Sequence, residues 1–291
     1  MQATKGRLPR TIDTYRDALM MARDHFVVRH GDDASWTQLT TADFRDWEAV
    51  QMERGLSPAY VKRNMAALRS LYRFLLREGR IKVDPVRLVK NPKQVKRLPT
   101  FVRETEMDRL FEYYNFGDDY LGVRNRTLLL LLYHTGIRAS ELVGIDVQDV
   151  DLGSNSLRVT GKGDKQRVVP YGQELHDNLE IYLRERRSYI EGHALTHHAL
   201  FLSVRRHRIS YADLLATVKR ALETVTTQSR RSPHVLRHSF ATAMLAHGAQ
   251  LEAIQQLLGH ETVTTTAIYT HTTLAELKEQ YAAAHPRNEK D

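Results

Sequence analysis

Five short stretches of this 291-residue chain hold side chains whose types and spacing could do chemistry. Arg138 lies in TGIRASELVGI, and Glu141 follows one helical turn later, where a carboxylate can orient a guanidinium. Lys162 sits in GKGDK between two glycines that let the backbone approach another surface closely. Lys165 and Arg167 follow at once and leave the choice of cation open. His234 and Arg237 stand at i, i+3 on one helix face in SPHVLRHSFAT, with His234 in the first turn, where free N–H groups favour an anion. His260 follows in LLGHE, and Tyr269 ends the run TVTTTAIY. Each has a plain structural reading when taken singly: surface arginine, solvated loop lysine, packed tyrosine.

Together they make a coherent set. Two arginines, two histidines and a lysine form a cationic pocket. A phosphodiester in a pentacoordinate transition state gains charge on its equatorial oxygens, and guanidinium forks match that charge bidentately. A phenol, with a pKa near ~10, needs a base or strong electrostatic help to become a nucleophile. The departing alkoxide needs an acid, a role open to a lysine among other cations. No carboxylate cluster for Mg²⁺ stands out, which argues against two-metal nuclease chemistry. There is no GxxxxGK[ST] loop for ATP and no HExxH, and the adjacent His197 and His198 are badly placed to share a metal on a helix. Neither a metal nor an organic cofactor is expected.

These residues need a scaffold, and the chain supplies mostly helix signals. Residues 11–30 carry Ile12, Tyr15, Leu19 and Phe26 at near-helical spacing, and residues 41–53 place Phe44, Trp47 and Val50 on one side. The third helix is the clearest. Ser57 can cap it, Pro58 suits its first turn, and Val61, Met65, Leu68, Tyr72 and Leu75 form an apolar stripe with Lys62, Arg63, Arg69, Arg73 and Arg77 off it. The run KNPKQVKRLP is polar, basic and aperiodic, as expected of an interdomain linker. Beyond it, residues 125–135 read as a buried Leu-rich helix ending at Gly136. Residues 156–169 read as a hairpin about Gly161, Gly163 and Asp164. Ser232 and Pro233 open a further helix, and Leu274, Leu277 and Tyr281 mark an amphipathic one near the C-terminus. The expected fold is therefore mainly α with a small antiparallel β-sheet (α+β). It has an N-terminal helical bundle over 1–89, a basic linker over 90–99 and a second domain over 100–291.

Composition agrees. Apolar residues make up 42% and charged residues 27%, ordinary for a chain with a real core and too apolar for a disordered one. The longest apolar run, near residues 128–133, is far short of the ~20 residues that span a bilayer. Neither membrane insertion nor a signal peptide is expected, and a cytoplasmic location follows by default. The absence of cysteine excludes disulfide scaffolds, thiolate metal sites and cysteine nucleophiles. Residues 1–99 hold 20 basic and 11 acidic side chains, whereas residues 100–291 hold 23 and 24. The net charge of +8 thus resides in the first third, the pattern of a polyanion-binding module tied to a nearly neutral domain.

The order Arg in TGIRASELVGI, Lys in VTGKGDKQRVVP, His-x-x-Arg in SPHVLRHSFAT, then His and Tyr in LLGHETVTTTAIYTH resembles the tyrosine recombinases, most closely their Xer branch. The tail AAAHPR resembles that branch too. The catalytic likeness covers roughly residues 100–286, and all six positions of the family pattern are filled. The resemblance implies that Tyr269 attacks the scissile phosphate and forms a 3′-phosphotyrosyl bond. Arg138, Arg237 and His260 would bind the non-bridging oxygens, Lys162 would protonate the 5′-hydroxyl leaving group, and His234 would be the general base or a proton shuttle with Tyr269. Glu141 would buttress Arg138. The covalent link conserves the phosphodiester's free energy, so strand exchange through a Holliday junction would need neither ATP nor metal.

The resemblance also implies partners: double-stranded DNA at a dif-like site, a homo- or hetero-tetramer with a second Xer-type recombinase, and a FtsK-type DNA translocase as activator. The helix at 274–284 would dock on a neighbouring protomer. Phosphate contacts are expected from Lys62, Arg69 and Arg73, and from Lys93, Lys96 and Arg97 in the linker; such contacts position a protein without reading sequence. Three alternatives stand beside this reading: a mobile-element integrase of the same chemistry, a DNA-binding module without catalysis, and a metal-dependent nuclease.

Overall fold

The computed structural model describes residues 9–32, 34–93, 100–191, 198–259 and 274–288. The chain forms two compact units, Met1–Arg97 and Leu98–Asp291. The architecture is mainly helical with one three-stranded antiparallel sheet, as the sequence predicts.

In the first unit α1 (Pro9–His30), α2 (Thr41–Glu53) and α3 (Pro58–Arg77) enclose a small core. Ser57 caps α3 by accepting from the Tyr60 N–H at 3.3 Å, and all five apolar stripe residues from Val61 to Leu75 are buried. The expected stripe on α1 holds at Leu19 and Phe26 and fails at Ile12. Ile12 is exposed, and the helix packs through Ala18, Ala22 and Phe26. Alanines allow close approach of α1 to its neighbours but carry little hydrophobic signal. Phe26, Phe44 and Tyr72 pack edge-on in the centre, at 5.2 and 5.1 Å between ring centroids, a favoured aromatic geometry.

The second unit is built around α5 (Tyr120–Thr135), buried almost throughout and packed against α7 (Gln173–Ile190) and α9 (Pro233–Ala246). It starts five residues before the expected 125, because Asp119 caps it through the Gly122 N–H. It ends at Gly136 in the left-handed conformation (φ 59°), the usual helix stop. Phe240 and Leu258 crowd the place where a Cβ on Gly136 would stand. Helices α4 (Glu104–Tyr113), α6 (Ala139–Gly144), α8 (Tyr211–Glu223) and α10 (Leu251–Leu258) surround this centre. The expected hairpin forms from β2 (Ser156–Thr160) and β3 (Gln166–Pro170), and a two-residue strand β1 (Val150–Asp151), without a sequence signal of its own, pairs with β2.

The final helix, α11 (Leu274–Ala284), changes one expectation. Tyr281 and Ala284 are buried in the chain's own core and Leu277 packs at its edge, which leaves Leu274 as the exposed member of the apolar set assigned to a neighbour. Arg287, just past the helix, is 5% exposed and pairs with Glu174 at 2.6 Å and with Asp108. No described helix is long and apolar enough to cross a membrane.

Candidate active site

Glu141 is the centre of the site. It sits in the first turn of α6 with its side chain 3% exposed. A buried carboxylate must be paired, and this one accepts four hydrogen bonds. The Arg138 backbone N–H and Nη1 each donate at 2.8 Å, and Arg167 Nη1 and Nη2 donate at 3.1 and 2.8 Å. Burial pushes the Glu141 carboxyl up, but the bonds from Arg167 and Arg138 outweigh it and hold the group below the usual carboxylate range. Arg138 and Glu141 therefore form a hydrogen-bonded ion pair.

In the sequence Arg167 stands out only as a rival to Lys162. Its signal lay in the hairpin register. Val159 faces Arg167 across the β2–β3 pair, and Val159 is buried. A charged residue on the core face of a hairpin requires a partner, and Glu141 supplies it. Arg167 Nε also donates to the Leu257 carbonyl at 2.9 Å, which ties the sheet to the end of α10. The hairpin turn abuts this pair. A Cβ at Gly161 would stand 3.4 Å from Glu141 Oε1, so the turn that holds exposed Lys162 lies beside the carboxylate. Gly163 and Asp164 take positive φ there, at 72° and 58°.

Arg237 is 6% exposed. Its Nη1 donates to the Gly136 carbonyl and its Nη2 to the Leu258 carbonyl, both at 2.8 Å. These carbonyls close α5 and α10, so a buried cation rests on the negative ends of two helix dipoles. Burial, with Arg138 next, pushes Arg237 down to about 10, still charged at neutral pH. Arg138 Nη2 reaches the Gly259 carbonyl at 3.2 Å. Gly259 holds φ 65°, and a Cβ there would lie 2.9 Å from the Arg167 guanidinium. The backbone that leads into residue 260 is thus gripped by three arginines at Leu257, Leu258 and Gly259.

His234 stands at the start of α9, with Nε2 3.1 Å from His238 Nε2. Burial, then His238, Arg237 and Arg138, hold it below the usual imidazole range. Of the six expected positions, the structure brings Arg138, Lys162, His234 and Arg237 to one region with Glu141. His260 and Tyr269 lie outside the described residues, in the segment that Gly259 opens. No group of three or more potential metal ligands occurs among the described residues.

The expected phosphate contacts on the first unit are placed differently from one another. Lys62, Arg73 and Lys93 are exposed. Arg69 is half-buried, and its guanidinium donates to Asn91 Oδ1 at 2.7 Å and the Val89 carbonyl at 2.8 Å, so it braces the chain after α3. Arg69 and Arg73 line an open groove with Lys82 and Arg87, two cations that the helical pattern did not single out. Lys96 and Arg97 lie outside the described residues.

Comparison with known proteins gives this arrangement a family. Residues 100–276 match the phage integrase family and residues 1–79 its N-terminal SAM-like domain. Tyrosine recombinase XerC of Pelotomaculum thermopropionicum is 38% identical over 99% of this chain and 95% of its own length. Tyrosine recombinase XerD of Lacticaseibacillus casei is 40% identical over 79% and 78%. The XerH site-specific recombinase bound to its difH substrate has the same fold, with a TM-score of 0.70 at 24% identity over 92% of this chain and 78% of that one. With matches that span both units and nearly the whole length of its relatives, the chain belongs to the phage integrase family, in the Xer branch of the tyrosine recombinases.

Proposed function

We propose that this site-specific DNA recombinase cuts and rejoins strands at the cluster around Glu141. The observation that carries the reading is charge. Arg138 and Arg167 share the Glu141 carboxylate and Arg237 stands on two backbone carbonyls, so among the described residues the site keeps a surplus of positive charge that suits an anion. Arg138 and Arg237, with His260, receive the non-bridging oxygens of the scissile phosphate. The Tyr269 oxygen bonds to phosphorus as the 5′-oxygen leaves, and the leaving oxygen takes a proton from Lys162. His234 accepts the phenol proton. The product is a 3′-phosphotyrosyl link and a free 5′-hydroxyl, and attack by a 5′-hydroxyl from another strand reverses the step. Two such exchanges pass through a Holliday junction. Preorganisation fits this chemistry: the arginines are already locked by carboxylate and carbonyls, so little rearrangement accompanies the charge change.

At the level of the assembly, the reading is a tetramer on a dif-like site with a second Xer-type recombinase, resolving chromosome dimers in the cytoplasm under a FtsK-type translocase. The first unit and its linker contact the DNA backbone through Lys62, Arg73, Lys93, Lys96 and Arg97, with Arg69 as brace. The C-terminal helix reaches a neighbour through Leu274.

A nicked suicide duplex that carries a dif-like site, incubated with EDTA and then denatured, tests the reaction. A protein–DNA adduct is expected from the wild type and none from Tyr269→Phe at undiminished DNA affinity. An adduct that persists in the variant removes Tyr269 as nucleophile. Strand cleavage that leaves no adduct and that EDTA abolishes favours a metal-dependent nuclease.

A further inference from the structure

The two rings of His234 and His238 occupy successive turns of α9, edge to face at 69°, with centroids 4.5 Å apart and Nε2 atoms 3.1 Å apart. A hydrogen bond between two imidazole nitrogens holds one proton: one Nε2 donates and the other accepts. The pair therefore has at most one of these two nitrogens without a proton, and a doubly protonated pair breaks the bond. We propose that His238 is a positioning residue for His234: its ring engages Nε2 of His234, fixes the imidazole orientation and leaves Nδ1 as the atom that meets the reacting proton. This inference rests on the reading of His234 as the proton acceptor.

Two consequences follow from the pairing. When His234 donates through Nε2, its Nδ1 carries the lone pair, the tautomer a base requires. When Nδ1 then takes a proton, the Nε2–H stays directed at His238 and the new cation keeps its bond. The charged groups acting on His234 are His238 and Arg237 on its own helix and Arg138 at the start of α6, all of which oppose protonation. The i, i+4 spacing that produces this contact is visible in HVLRH, although either histidine alone looks like surface.

The test is the rate of adduct formation in a single turnover, followed against pH for the wild type, His238→Ala and His238→Gln. The Ala variant should lose ~10–100-fold on the plateau, the usual effect of removing an orienting partner. Gln should recover most of that loss, because its amide can still bond His234. The acid limb should move in Ala, where the His234 cation has no partner at residue 238, and should move less in Gln, whose amide oxygen can still accept. Equal losses for Ala and Gln with an unmoved limb would assign His238 a packing role and overturn the proposal, as would an unchanged plateau in Ala. A second readout needs no DNA. Imidazole ¹⁵N NMR of the free protein should show one Nε2 protonated toward the other, with the titration of His234 altered in His238→Ala. Independent titration of the two rings would overturn the proposal. Failure of the wild type to form any adduct would instead overturn the reading of the whole site, and the NMR result would still decide whether His238 holds His234.

Discussion

Two clusters in the second unit are made from the same parts and carry opposite balances of charge. Around Glu141 stand Arg138 and Arg167, with Arg237 close enough to feel both. Around Arg287 stand two carboxylates, Glu174 and Asp108, with His134 and Tyr281 bonded alongside and His285 stacked on both rings. Burial holds His134 and His285 below the usual imidazole range, so both are neutral, while bonds from His134 and Arg287 overcome burial and hold Glu174 at about 2. The tail cluster is thus saturated with its own counter-charges and serves to fasten α11 and the residues after it. The Glu141 cluster is left with cations in excess. Among the described residues Glu141 is the one carboxylate bonded to these arginines, so the cluster can take up an anion that the tail cluster cannot. That difference separates a structural ion pair from a binding site more clearly than residue types do.

The largest expected effect breaks the tail cluster. Arg287→Ala strands Glu174 and should lower stability by ~3–5 kcal/mol, the usual cost of removing one partner from a buried pair. Urea unfolding measures it, and an effect below about 1 kcal/mol would mean that the pair is only a surface contact. Arg138→Ala should show the reverse signature. Its side chain is 43% exposed and Arg167 still satisfies Glu141, so stability should stay within about 1 kcal/mol of the wild type. Adduct formation should nevertheless fall by ~10²–10³-fold, with DNA affinity changed far less. Comparable losses in rate and affinity would make Arg138 a simple binding residue.

The smallest effect sharpens the comparison through pH. His134, His285 and Glu174 all have folded pKa values below their ordinary 6.5 and 4.5, so the unfolded chain binds more protons. Their contribution is complete above 6.5 and is lost as pH falls through 4.5 toward about 2. Stability of the wild type should decline over that window. The decline should be shallower in Arg287→Ala, where one of the bonds that depress Glu174 is absent. Equal slopes would contradict the role given to Arg287.

What could be read from the sequence was local. The stripe of α3, the stop at Gly136 and the hairpin each rest on periodicity or turn chemistry within a few residues. The link of Arg138 to Glu141 spans one helical turn and was legible for the same reason. Arg167 needed the register of two strands. The anchors of Arg237 are backbone carbonyls at the ends of α5 and α10, which no side-chain pattern encodes. Arg287 finds Glu174 across 113 positions, and nothing near either residue announces the other. The roles of His260 and Tyr269 rest on the family resemblance, whereas the surplus of positive charge around Glu141 comes from the fold.

The central claim is that this surplus charge serves the non-bridging oxygens of one phosphate. A suicide duplex whose scissile phosphate is replaced by a neutral methylphosphonate tests it directly, with adduct formation compared for the wild type and Arg138→Ala on both substrates. The deficit of ~10²–10³-fold on the natural diester should shrink to within about tenfold on the neutral one, because the charge that the guanidinium balances is gone. An equal deficit on both substrates would contradict the account and leave Arg138 with a role in structure alone.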